Sequence, residues 1–330
     1  MTIRKPVKKN GYESCSGCGI CLLSCPVWHR TNTTSFTRKA RAKALQGGAT
    51  HEEIAFSIDS CLLCGACESA CPEGISLADL NIHQRQELNK VRTEFPSWYP
   101  DNKFSPDNNG AAQKAASLLL TGELLGLSSE VCAAVTGYLG GNGNMALAND
   151  DGRDLSNLIE AGLQLKPARV AGFVSSLRRA CTLIVADGLL HRPLRKWLPG
   201  KKILGLGESL LSSAPLRRML GTEDLYVIES RGYHADHNRL VLFYDRLRRD
   251  TGCHTNLDLQ RTAFSTGASS LQGKMDIAAA GCIENARRIL KGRRVTRIVV
   301  EDIADIEPFR RAADIPVIHL GLLGSKKNLS

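Results

Sequence analysis

Eight of the twelve cysteines stand in two short runs whose spacing suits metal chemistry. The first run is Cys15-Ser-Gly-Cys18-Gly-Ile-Cys21-Leu-Leu-Ser-Cys25-Pro26, and the second is Cys61-Leu-Leu-Cys64-Gly-Ala-Cys67-Glu-Ser-Ala-Cys71-Pro72. Both follow C-x2-C-x2-C-x3-C-P, the spacing of bacterial four-iron sites. Two intervening residues let a tight turn wrap three thiolates around one iron–sulfur cube. The three-residue step then sends the fourth sulfur toward a second cube. The spacing therefore predicts two [4Fe–4S] clusters with exchanged ligands: Cys15, Cys18, Cys21 and Cys71 on cluster 1, and Cys61, Cys64, Cys67 and Cys25 on cluster 2. Gly17, Gly19 and Gly65 ease the turns and let backbone N–H groups approach sulfur. Pro26 and Pro72 end each loop. Zinc would use two ligand pairs rather than four stepped cysteines followed by proline, twice.

The elements around these runs read as helices. Ser35 to Leu45 is helical and stops at Gly47-Gly48. Thr50-His51-Glu52-Glu53 is a capping box opening Ile54 to Ile58. Ser76 with Asp79 opens another helix carrying Leu77, Leu80, Leu88 and Val91 near one face. Glu94 to Gly110, with its prolines and Asn/Asp residues, reads as a linker in which Trp98 and Tyr99 either anchor to a surface or cover core.

Beyond the linker the pattern changes to short β-branched runs alternating with helix: Thr182–Ala186, Lys202–Leu206, Leu225–Ile228, Thr296–Val300 and Pro316–Leu320. This half repeats itself at a shift of 114 residues, which lays Thr182, Ile184, Val185, Leu206 and Gly207 on Thr296, Ile298, Val299, Leu320 and Gly321, and Asp187 on Glu301. The expected fold is an α+β multidomain chain. A basic tail (1–12) leads to an N-terminal all-α two-cluster domain (13–93) and a linker (94–110). Two related α/β modules with parallel sheets follow (111–212 and 213–330).

A chain of 330 residues with 43% hydrophobic residues can bury a sizeable core. Its net charge is +10, and two clusters at 2− each would bring it near +6. Lysines and arginines are scattered and aromatics are 5%, so no nucleic-acid stacking platform is expected. A solvated surface, or a face for an acidic partner, fits better. No apolar run approaches the roughly 20 residues of a membrane span; Ala115 to Leu127 is broken by Thr121, Gly122 and Glu123. The basic N-terminus is not followed by an apolar run, so no signal peptide is expected, and clustered thiols suit a reducing cytoplasm.

A gap of 35 residues filled by helix separates Cys25 from Cys61. With Ile58-Asp-Ser-Cys61-Leu-Leu-Cys64-Gly-Ala-Cys67 and the following Cys-Pro-Glu-Gly-Ile75, residues 13–93 resemble the helical di-cluster ferredoxin module of heterodisulfide reductase and glycolate oxidase iron–sulfur subunits and of succinate dehydrogenase-type proteins. In that superfamily the module is often followed by a duplicated cysteine-rich domain, marked by Cys-Cys-Gly and a Cys-Pro-x-x-Cys just after a strand. Here Asp187-Gly-Leu-Leu-His191 and Glu301-Asp-Ile-Ala-Asp305 stand at those places, and no adjacent cysteines occur. Residues 111–330 thus resemble a degenerate cysteine-rich (CCG) pair without metal ligands. The resemblance implies an electron-transfer subunit of a heterodisulfide reductase-like oxidoreductase complex, with no catalytic residue of its own. Its partners would be a flavoprotein subunit and a cysteine-rich (CCG-type) catalytic subunit or other redox carrier. Alternatives are the iron–sulfur subunit of a glycolate- or lactate-type hydroxy-acid oxidase or dehydrogenase, a thiol or sulfur-transfer enzyme using a lone C-terminal cysteine, and an iron–sulfur sensor or scaffold.

Other candidates carry less. Cys132, Cys181, Cys253 and Cys282 are isolated; Cys181, before a strand, and Cys282, in an Ala-rich helix, are expected in core. His234, Asp236 and His237, with His254 nearby, form a polar loop or helix start or a vestigial metal site. Gly205-Leu-Gly207 lacks the third glycine of a dinucleotide fingerprint, and Gly140-Gly141-Asn-Gly143 reads as a loop.

Overall fold

A computed structural model describes residues 11–100, 113–141, 144–258, 261–274 and 276–324. Residues 11–93 contribute only helices: α1 (Ile20–Leu23), α2 (Pro26–Thr31), α3 (Arg38–Gln46), α4 (Ala55–Asp59), α5 (Ala66–Ser69) and α6 (Leu77–Asn89), with short 3-10 turns at Tyr12–Ser14 and Thr34–Phe36. Pro26 opens α2, where its missing N–H costs nothing. Helix α3 starts three residues later than the periodicity suggests. Ser35 lies in the 3-10 turn, and Thr37 is the true cap, its hydroxyl accepting from the Ala40 N–H at 3.3 Å. The capping box forms: Glu53 accepts from the Thr50 N–H at 2.8 Å and Thr50 Oγ1 from the Glu53 N–H at 3.3 Å. Ser76 occupies the cap of α6 but makes no side-chain cap bond; the Glu68 carboxylate accepts from the Ala78 N–H instead, at 3.1 Å. Val91, expected on the apolar face of this helix, lies beyond its end and is half exposed, because the helix stops at Asn89.

Two parallel four-stranded sheets follow. The first joins β1 (Ser117–Leu120), β2 (Met145–Leu147), β3 (Thr182–Val185) and β4 (Lys202–Gly205) in the order β2-β1-β3-β4. The second is built from β5 (Asp224–Val227), β6 (His254–Thr255), β9 (Arg297–Val300) and β10 (Val317–His319) in the order β10-β9-β5-β6; β7 (Leu257–Asp258) and β8 (Thr262–Ala263) form a separate antiparallel pair. The 114-residue shift sets β3 on β9 and β4 on β10, two strands that are neighbours in each sheet.

Alternation along the strands buries both faces of each sheet. Leu119 and Ile184 from the first sheet and Tyr226 and Val299 from the second share one core with Leu206, Leu210, Tyr244 and Leu320. Leu118, Leu120, Leu183 and Val185 turn the other way into a second core, and Leu225, Val227, Ile298 and Val300 into a third. Each such side chain, fully buried, stabilises by roughly 1.5–3 kcal/mol.

The helical part is clasped to the sheets. Gly162 ends the helix Arg153–Ala161 with φ 70°, and a Cβ there would run into the side chain and backbone of Arg85 on α6. Asn89 Nδ2 donates to the Ala161 and Gly162 carbonyls at 3.0 and 2.9 Å. In the described start of the linker, the Tyr99 hydroxyl donates to the Ala161 carbonyl at 2.7 Å and Arg85 lies over the Trp98 ring at 4.9 Å, so both aromatics act as anchors. Arg192 pairs with Glu68 at 3.0 Å and Lys196 with Asp79 at 3.0 Å. Residues 1–10 of the basic tail and 101–110 of the linker lie outside the described residues, as do Asn142 and Gly143 of the glycine-rich loop.

Candidate metal centre

The cysteine loops turn on left-handed residues. Gly17, Gly19 and Gly65 have φ of 84°, 82° and 79°, a conformation that Gly adopts without strain, and Gly19 and Gly65 start α1 and α5. Leu63 is also left-handed, at φ 51°, where a residue with a Cβ is strained by about 1–2 kcal/mol. That turn aims its N–H at Cys61 Sγ, 3.4 Å away. Backbone N–H groups also reach the sulfurs of Cys21 (from Lys39), Cys25 (from Val27 and Trp28) and Cys64 (from Ala66). Such bonds stabilise charge on sulfur.

Cys25, Cys61, Cys64 and Cys67 line one cavity, with Pro26, Val27 and Phe36 from one side and Leu62, Leu63 and Ala78 from the other. They come from both sequence motifs, and they surround a space rather than converge on a point. Among the described residues no three His, Cys, Asp or Glu side chains draw together as a single metal ion requires. A single zinc holds thiolates at about 2.3 Å, whereas a cube of four irons offers each thiolate its own corner.

Burial and charge divide these sulfurs. Burial pushes the Cys64 thiol up to about 12 and raises Cys67 and Cys25 as well. Burial also opposes ionisation of Cys61, but the Arg38, Arg41 and Arg85 guanidiniums outweigh it and bring that thiol down to about 7. Arg38 donates to Cys61 Sγ at 3.1 Å, and Arg85 donates to the Cys61 carbonyl at 2.6 Å. From the sheets, Arg231 donates to the Leu62 carbonyl at 3.0 Å and His234 Nδ1 to the Cys64 carbonyl at 2.8 Å. Burial holds His234 down at about 4, so its ring is neutral.

Arg38 and Arg41 are 7% and 3% exposed, and among the described residues neither pairs with a carboxylate. Arg38 Nε and Nη1 and Arg41 Nε have no hydrogen-bond partner among the described residues. A buried, uncompensated cation is costly unless an anion sits beside it. A four-thiolate cluster carrying 2− is such an anion, so the donors and charges present suit one. These arginines escaped the sequence reading, although a signal existed. Arg38, Arg41, Ala42 and Leu45 are the buried residues of α3, spaced as a core-facing stripe, and arginine at such positions calls for a buried partner.

The other loop is more open. Cys18 is exposed, and Cys15 and Cys21 are half-buried; burial still lifts the Cys21 thiol to about 11. Lysines rim it: Lys43 Nζ donates to the Cys15 carbonyl at 3.2 Å, and Lys39 lies beside Gly19. Helix α1, which carries Cys21, packs on α5, which carries Cys67 and leads on to Cys71.

Residues 11–75 match the family model of the 4Fe-4S dicluster domain. Both cysteine motifs fall inside the match. The dicluster domain makes this an iron–sulfur protein with [4Fe–4S] clusters and an electron-transfer role. No curated protein and no solved structure matches the chain. Beside the dicluster domain, no helix among the described residues is long and apolar enough to cross a membrane.

The remaining candidates separate. Cys253 and Cys282 are buried, Cys132 half-buried, and Cys181 exposed, against expectation. Ala180 takes the buried position ahead of β3, and the alternation of an extended chain sends Cys181 outward. His234 lies in the last turn of the short helix Ser230–Ala235 and His237 opens the helix His237–Thr251, their rings stacked at 6.1 Å between centroids. Asp236 pairs with Arg195 at 2.7 Å rather than joining them.

Asp187 and Glu301, which succeed β3 and β9, line one small cleft with Asp302 and Lys274. In a neighbouring cavity lined by Glu229 and Glu301, burial and repulsion from Asp302 outweigh backbone N–H bonds and push Glu229 up to about 8, and burial lifts Glu301 to about 7 despite bonds from Tyr226 and Tyr244. These acids keep protons in the folded chain that the unfolded chain releases near pH 4.5. Their contribution is therefore greatest at low pH and is lost as pH rises toward 8. Urea melts between pH 6 and 8.5 should show the unfolding free energy falling, by roughly 3–4 kcal/mol in all at about 1.4 kcal/mol per unit of pH for each group that stays protonated. Glu229→Gln should flatten the slope; an unchanged slope would show that Glu229 is ionised throughout.

Proposed function

We propose that the chain is the electron-relay subunit of a heterodisulfide reductase-like redox complex. It carries two [4Fe–4S] clusters, one on Cys15, Cys18, Cys21 and Cys71 and one on Cys61, Cys64, Cys67 and Cys25. The observation that carries this reading is the gathering of Cys25, from the first motif, with Cys61, Cys64 and Cys67 around one cavity. When bound, each cluster takes up and gives back one electron with no bond made or broken. The chain supplies the rest. Backbone N–H groups and Arg38 steady charge on sulfur, Val27, Phe36 and Leu63 keep water from the inner site, and the exposed Cys18 loop with its lysine rim gives a face to an acidic carrier.

In this reading residues 13–93 hold the clusters, and 111–212 and 213–330 are related modules that have exchanged metal ligands for Asp187 and Glu301 and serve as scaffold. A flavoprotein subunit stands on one side of the relay and a cysteine-rich catalytic subunit or other carrier on the other. Sulfur transfer through Cys253 or Cys282 is not supported: burial raises Cys253 and lifts Cys282 to about 11, away from a reactive thiolate. Anaerobic purification with partners from the native host tests the proposal. The expected result is about eight irons per chain and a co-purifying flavoprotein; zinc in place of iron, or a hydroxy-acid dehydrogenase as the partner, would overturn it.

A further inference from the structure

The inner cysteines are surrounded by buried cations with unused donors. Arg38 has one nitrogen, Nη2, on Cys61 Sγ at 3.1 Å, while Nε and Nη1 have no partner among the described residues. Arg38 and Cys61, Cys64, Cys67 and Cys25 line the same cavity. Neighbouring guanidiniums spend most of their donors elsewhere and none bonds a cysteine sulfur, although Arg41 Nε and Arg85 Nε also lack a partner among the described residues. Arg41 donates to the Ser57 and Phe36 carbonyls, Arg85 to the Asp59, Cys61 and Glu160 carbonyls, and Arg231 is paired with Glu160. Arg38 alone of these combines a bond to a ligand sulfur with free N–H groups and no carboxylate to neutralise it. At the outer loop the cations are lysines: Lys43, exposed, reaches a backbone carbonyl, so solvent screens its charge.

We propose that Arg38 sets the reduction potential of the cluster held by Cys25, Cys61, Cys64 and Cys67, raising it by stabilising the extra negative charge of the reduced state, and leaves the other cluster untouched. The proposal rests on the two-cluster reading above. A fixed cation in a low-dielectric wall favours uptake of an electron more than the same cation in water. Its bond to sulfur strengthens as the sulfur gains charge. The effect is confined to one centre, so Arg38 governs how electrons divide between the two, and with it which centre holds a single electron taken up by the relay.

The test is an anaerobic redox titration of the purified full chain, followed by electron paramagnetic resonance, for wild type, Arg38→Lys, Arg38→Gln and Arg38→Met. Cys18→Ser and Cys64→Ser assign the two signals. Removal of the charge should lower the midpoint of the Cys64-dependent signal by at least a tenfold change in its reduced-to-oxidised ratio, about 59 mV for one electron. The Cys18-dependent signal should stay in place. Arg38→Lys should fall between wild type and Arg38→Gln, which also keeps the comparison open if Arg38→Met loses iron. Two intact signals with unmoved midpoints, equal values for Lys and Gln, or a shift confined to the Cys18-dependent signal would overturn the role of Arg38. Absence of two signals in the wild-type chain would instead overturn the two-cluster reading.

Discussion

Cys25→Ala should remove the same centre as Cys64→Ala, although Cys25 belongs by position to the other motif. The cavity gathers Cys25 with Cys61, Cys64 and Cys67, and the Cys25 sulfur feels the charge of Cys61. Under ligand exchange, each of these variants leaves one intact cluster, and iron falls from about eight to about four per chain. Cys15→Ala should remove the complementary signal. The check is iron and sulfide analysis with low-temperature electron paramagnetic resonance of each variant. If Cys25→Ala matched Cys15→Ala rather than Cys64→Ala, each motif would hold its own cluster and the exchange would be wrong.

Glu160→Ala should cost about 3–5 kcal/mol of stability, the penalty of stripping the partner from a buried cation. Glu160 and Arg231 are nearly inaccessible and joined at 2.8 Å. Arg231 also holds the Leu62 carbonyl, the Leu271 N–H donates to Glu160 at 2.8 Å, and the Glu160 carbonyl accepts from Arg85. One carboxylate therefore ties a helix beside the first sheet, the helix after β5 and the inner cysteine loop. Urea unfolding of the cluster-loaded chain measures the loss. The double variant Glu160→Leu with Arg231→Met should recover much of it, because no charge is then left unpaired. A Glu160→Ala loss below about 1 kcal/mol would mean that water reaches Arg231.

The cysteine motifs were legible in sequence because their chemistry is local: ligand spacing and turn glycines are fixed within a dozen residues, and Gly17, Gly19 and Gly65 take the conformation their places demand. Strands β6, β7 and β8, of two residues each, are too short to show a pattern. Strands β3, β4, β5, β9 and β10 were legible from β-branched runs, and the adjacency of β3 with β4 and of β9 with β10 accords with the 114-residue self-similarity. Strands β1 and β2 were not, because Ser117–Leu120 and Met145–Leu147 are built from residues equally at home in helices. The buried arginines were hidden for a different cause. Arg38 and Arg41 share a core-facing stripe with Ala42 and Leu45, but what that stripe meets is undecided until the loop carrying Cys61, some twenty residues on, is laid against it. The grip of Arg231 and His234 on Leu62 and Cys64 spans about 170 residues, a distance over which sequence pattern carries no signal.

That grip limits how charge can travel. Some electron carriers work as swinging arms, with a small redox head on a tether that visits donor and acceptor in turn. A head whose loop is pinned by Arg231 and His234, and whose last helix is pressed on the bend at Gly162, has no such stroke. In the proposed relay the chain is instead a fixed terminal, and the proposed donor and acceptor would each meet a face of it.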